Sequence, residues 1–99
     1  MKTELDQTTL QRAIDVFGAD SQVYMAIEEC SELVDALMKY RRGRIGVNDV
    51  VTEIADVQIM CAQLEIIFGG SSKIVEMERA KKMDRLRGRI EKHDMGDKK

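Results

Sequence analysis

Glu53 is the residue that most constrains what this chain can become. It lies in the apolar run VTEIADVQIMCAQLEIIF. At about 100° per residue it shares an azimuth with Val50, Val57, Met60, Leu64 and Ile67. It therefore projects from the stripe that a helix buries. An ionised carboxylate held alone among apolar side chains is strongly disfavoured. A fold that brings a compensating cation to the same place removes the objection. Asp56 follows one turn later, and Glu29 and Glu32 show the same spacing in the preceding helical run, Ser21–Arg42, with Glu28 beside them. Written out, the pattern is E-E-x-x-E, 20 intervening residues, then E-x-x-D. The first motif alone is an ordinary solvated helix face. The second, set among Val, Met, Leu and Ile, makes the two acidic pairs together read as a metal site between two helices.

The surrounding sequence is helical. The 99 residues suit one domain with one modest core, and they contain no proline, two Tyr and two Phe, with 34% charged residues. That profile fits an all-α fold and fits β architecture poorly. About four helices are expected. The first spans about Thr8–Phe17 and stops at Gly18, and the second follows a cap at Asp20 or Ser21 and ends before Gly43. The third, Asn48–Phe68, follows a cap at Asn48 or Asp49 and halts at Gly69-Gly70, and the fourth starts at Ser71 or Ser72 with Met83, Leu86 and Ile90 at a/d-like spacing. Residues 8–92 form the expected structured core, and 93–99 read as a frayed polar tail.

The third helix carries a second message. Ala55, Ile59, Ala62 and Ile66 lie opposite the Glu53 stripe, so both sides of this helix ask for cover. Three companions in a chain this short can hardly provide it. The two long central helices are thus expected to form a bundle completed by homo-oligomerisation.

Ligand chemistry narrows the cation. Cys30 and Cys61 sit mid-helix on apolar arcs without C-x-x-C spacing, and read as buried structural thiols; the one histidine, His93, falls in the polar tail. Only oxygen ligands remain, which selects Mg²⁺, with Mn²⁺ as a substitute. No apolar run approaches the roughly 20 residues of a membrane span, and the charged MKTELDQ start is unlike a signal peptide. A cytoplasmic protein with no membrane partner is expected.

Four or five carboxylates around one Mg²⁺ leave a negative excess that further cations arriving with a polyphosphate would offset. Basic residues gather in Lys39, Arg41, Arg42 and Arg44, and again between residues 79 and 92. Lys81, Lys82 and Arg85 of that second arm could fold over the acidic site and hold distal phosphates. With no nucleophilic Cys, Ser triad or usable His, water activated by the metal is the expected nucleophile. Neither G-x-x-x-x-G-K-[ST] nor G-x-G-x-x-G occurs, which excludes a P-loop ATPase. Metal-dependent phosphoanhydride hydrolysis follows.

The segment AIEECSELVDALMKYRRGR, followed by VTEIADVQIM, resembles the MazG-type all-α nucleoside triphosphate pyrophosphohydrolases. The likeness extends over about residues 8–92, including AIDVFGADSQ and the basic KKMDRL stretch. It implies Mg²⁺-dependent hydrolysis of nucleoside triphosphates, often deoxynucleotides, to the monophosphate and pyrophosphate, by a dimer or tetramer. Carried over, it implies metal ligation by Glu29, Glu32, Glu53 and Asp56, with Glu28 orienting water. Lys82 and Arg85, with Lys81 as alternative, resemble the residues that hold phosphates, and Gln22 and Phe17 stand where base or sugar is contacted. Phosphoribosyl-ATP pyrophosphohydrolase is a related alternative, but its Tyr-His pair is replaced here by Val57-Gln58. A non-catalytic oligomer binding nucleic acid through Arg79–Arg89 is the other; the acidic pairs oppose a phosphate backbone and leave Glu53 without a purpose.

Overall fold

The computed structural model describes residues 1–97 and, among them, contains four α-helices and no strand: α1 (Gln7–Phe17), α2 (Ala19–Arg41), α3 (Val47–Gly69) and α4 (Lys73–Asp97). The all-α expectation holds, with two 23-residue helices at the centre. Of the expected 93–99 tail, residues 93–97 continue α4 as helix, while residues 98 and 99 lie outside the described residues.

The helix starts differ from the capping expectation. Asp6 caps α1, accepting hydrogen bonds from the Thr9 hydroxyl at 2.7 Å and the Thr8 amide at 3.3 Å. Those bonds hold its carboxyl below the ordinary 3.8. Neither Asp20 nor Ser21 caps α2, which begins directly after Gly18. Gly18 is thus the whole connection between α1 and α2, and it has φ 92°. An L-residue reaches that torsion only with strain. A side chain there meets nothing within 4 Å, so the backbone alone sets the penalty. Gly18→Ala is expected to cost on the order of 1–3 kcal/mol, read as a lowered urea midpoint with an unchanged slope. At the start of α3, the Asp49 side chain reaches back to the Gly46 amide at 3.2 Å. Gly70, in the left-handed region at φ 74°, ends the helix by donating to the Ile66 carbonyl at 2.9 Å.

Packing is dominated by α2 against α3, with α1 touching both and α4 touching α3 alone. The buried side chains are few: Leu10, Ala26, Ala36, Met60 and Ala62, with the polar Gln22 and Gln63. Val50, Val57, Leu64 and Ile67 are half-buried around Met60, as the apolar stripe requires. The opposite face of α3 departs from expectation. Ala55 and Ile59 are exposed, but Ala62 is buried and Ile66 lies beside Gln7, Gln11 and Arg12 of α1. Within the chain, α1 reaches the Ile66 end of this face. Cys30 and Cys61, expected inside, are both exposed, although Cys30 of α2 lies near enough to Cys61 of α3 to help push its thiol pKa up, after burial.

The molecule is open. Its radius of gyration is 17.1 Å, against about 13 Å for a compact domain of this length. The accessible surface is 8105 Å², whereas a compact monomer of 11.3 kDa exposes about 5,700 Å². Much of the difference lies in α4, none of whose described side chains is buried. No helix among the described residues is long and apolar enough to cross a membrane.

Candidate metal centre

The α2–α3 seam brings the acidic pairs together. Glu29 on α2 and Glu53 and Asp56 on α3 each present one carboxylate oxygen, and the three oxygens lie within 4.8 Å of one another. Helical geometry explains the meeting. Glu29 lies on the line of α2 that carries Gln22, Ala26 and Ala36 into the seam, and Glu53 lies on the matching line of α3 with Met60. The small Ala26 and Ala36 let the helices approach. Glu29 and Glu53 are half-buried. One oxygen of each, Oε2, is shielded from solvent and has no hydrogen-bond partner.

An unpartnered, shielded carboxylate oxygen needs either a proton or a cation. Burial raises the pKa of Glu29 above its ordinary 4.5, and the charges of Glu32, Asp56 and Glu53 push the same way. Burial likewise raises Glu53, reinforced by Glu32 and Asp56. The donor set is oxygen-only and carries several negative charges within reach of one point. That fits a hard divalent ion such as Mg²⁺ and fits soft-metal chemistry poorly.

The other expected residues are placed less uniformly. Glu32 is exposed; it is not one of the three convergent carboxylates, but its charge acts on both half-buried groups. Glu28 is exposed and lies outside the cluster. Lys81, Lys82 and Arg85 do not fold over the site within the chain, because α4 has no contact with α2. Lys81 instead pairs with Glu78 at 3.4 Å, and Arg79 with Glu65 on α3 at 4.0 Å. Lys39, of the other basic cluster, pairs with Asp35 at 2.8 Å. Phe17 is exposed at the end of α1, while Gln22 is buried.

One residue of interest escaped the sequence reading. Gln63 is 4% exposed; its Nε2 reaches the Met60 sulfur at 3.9 Å, and its Oε1 is buried without a partner. The signal was available. Gln63 stands two turns beyond Asp56 in the same apolar run that singled out Glu53, just as Gln22 stands two turns before Glu29. Comparison with protein-family models, curated proteins and solved structures finds no match.

Proposed function

We propose that the chain is a divalent-cation-dependent hydrolase of nucleoside triphosphates, (deoxy)nucleotides included, forming the monophosphate and pyrophosphate in nucleotide-pool housekeeping. The observation that carries this reading is the convergence of Glu29, Glu53 and Asp56, with two shielded oxygens that nothing in the protein satisfies. The MazG-type pattern of E-E-x-x-E and E-x-x-D supplies the reaction class. In it, Glu29, Glu53 and Asp56 hold the ion, and Glu32 completes the set from its exposed position. When bound, Mg²⁺ or Mn²⁺ supplies Lewis acidity toward a phosphoanhydride and toward water.

The protein's own part is positional and electrostatic. Glu29 and Glu53 would hold the cation, whose positive charge would relieve the burial and the mutual repulsion that raise both pKa values. The charge of Glu32 adds to the negative field at Glu29 and Glu53. Glu28, exposed on the same helix and outside the cluster, is assigned by the resemblance to orienting water. Lys82 and Arg85, with Lys81, are assigned to the distal phosphates, and Phe17 and Gln22 to the nucleoside; of that last pair, Phe17 is the accessible one.

The test is direct. Purified protein is incubated with each canonical NTP and dNTP, with Mg²⁺ or with excess EDTA, and the phosphate products are identified. Turnover is expected only with the divalent ion, and the co-product is expected to be pyrophosphate. Full activity in EDTA, or stepwise release of orthophosphate, ends this reading.

A further inference from the structure

The fourth helix is built for contact and makes little of it. Within one chain it touches only α3, through its first turns, and then runs on for a total of 25 residues, about 37 Å. Met83, Leu86 and Ile90 form an a/d stripe and are 43%, 39% and 59% exposed. Lys82, Arg85 and Arg89 line one flank of that stripe, and none of the three has an ion pair among the described residues.

Charge is divided between arm and body. Residues 1–78 hold 7 Lys and Arg against 14 Asp and Glu, a net −7, while residues 79–99 hold 9 against 4, a net +5; together they give the −2 of the whole chain. In α2, Ile27 and Val34, 59% and 61% exposed, form an apolar stripe of their own with Ser31 between them. Glu28, Glu32 and Asp35 flank it on one side only. At about 100° per residue, parallel helices packed stripe to stripe set the acidic flank of one beside the basic flank of the other. Within one chain the two helices do not touch.

We infer that α4 is an exchanged arm: its Met83–Leu86–Ile90 face packs on the Ile27–Val34 face of a second copy, and its Lys82 and Arg85 stand beside that copy's Glu28 and Glu32. The available area is sufficient. The chain exposes about 2,400 Å² more than a compact monomer, while a stable dimer needs about 800 Å² from each partner. Pairing α4 with another α4 is disfavoured, since it would gather Lys82, Arg85 and Arg89 of both copies. The docking itself does not depend on the hydrolytic reading. Its consequence does: each acidic centre is completed by cations from the partner.

Two charge-swapped chains test this without metal or nucleotide. One carries Lys82→Glu and Arg85→Glu, the other Glu28→Lys and Glu32→Lys. Wild type is expected by light scattering at twice 11.3 kDa. Each swapped chain alone sets like charges together at both contacts and should dimerise about 100-fold more weakly. Mixed, the two should recover the dimer, because both contacts of the heterodimer are again opposite in sign. Helix content by circular dichroism confirms that each chain is folded. A monomeric wild type overturns the inference, and so do two swapped chains that each dimerise as well as wild type, which places the interface elsewhere, α4 against α4 included. Swapped monomers that stay monomeric when mixed overturn it too. A wild-type dimer that hydrolyses no nucleotide leaves the arm in place and removes the hydrolytic reading instead.

Discussion

Glu53→Gln is expected to leave the four helices standing and to lower metal-dependent turnover on the order of 10²-fold or more. The amide keeps the volume of the carboxylate, so Met60 and the half-buried residues around it keep their packing. What changes is the donor set. Glu53 contributes one of the three oxygens that lie within 4.8 Å of each other, and its shielded Oε2 has no other partner. Without that charge the cation loses a ligand from the helix that carries two of the three. Isothermal titration with Mg²⁺ and steady-state hydrolysis should fail together. Unchanged kcat at saturating Mg²⁺ would remove Glu53 from the site.

The second large effect is on stability, and it changes sign with the ion. Glu29 and Glu53 have pKa values raised above the ordinary 4.5, so the folded protein binds their protons more tightly than the unfolded chain does. Their contribution is therefore fully present below the ordinary value and is lost as pH rises through the raised ones. In EDTA the urea midpoint should be lower at neutral pH than near the ordinary value of 4.5 from this source. Asp6 acts in the opposite sense, but its lowered pKa confines the effect to more acidic solution. Saturating Mg²⁺ holds both groups in the charged form, and its affinity rises with pH as protons cease to compete. At 100 times its dissociation constant the ion adds about 2.7 kcal/mol, which for a domain this small is more than about 10 °C in Tm. A gap between Mg²⁺ and EDTA curves that is the same at both pH values would mean that the ion binds elsewhere.

The parts of the architecture readable in the sequence are those set by local periodicity. Helices α2 and α3 announce themselves by length, by glycine stops and by the 3.6-residue stripe, and Glu53 is conspicuous because it interrupts that stripe. What the pattern cannot supply is which neighbour covers which face. The second apolar face of α3 asks for cover, and within the chain α1 reaches its Ile66 end, because Gly18 alone joins α1 to α2 and keeps it close. The same gap explains the cysteines. An apolar arc marks Cys30 and Cys61 as suitable for burial, but an arc in a single chain has no partner until assembly supplies one. Lys81, Lys82 and Arg85 show the limit from the other side: net charge suggested attraction to the acidic centre, and the path of α4 keeps them off it within one chain. Gln63 was legible by the argument used for Glu53. Uncharged, it did not stand out.

The acidic cluster proposed to hold metal does not hang from loops; it occupies the seam that is also the largest packing contact in the molecule. Stability and chemistry therefore compete for the same positions. A leucine or methionine at residue 53 would complete the Val50, Val57 and Met60 stripe, and apolar residues at 29 and 56 would relieve the remaining repulsion. Directed evolution for thermal tolerance without a functional screen should converge first on these three sites and return a sturdier, inert helical protein. If the proposed activity holds, stabilising changes that preserve it have to be sought elsewhere, such as the surface of α1, where they leave the acidic residues alone.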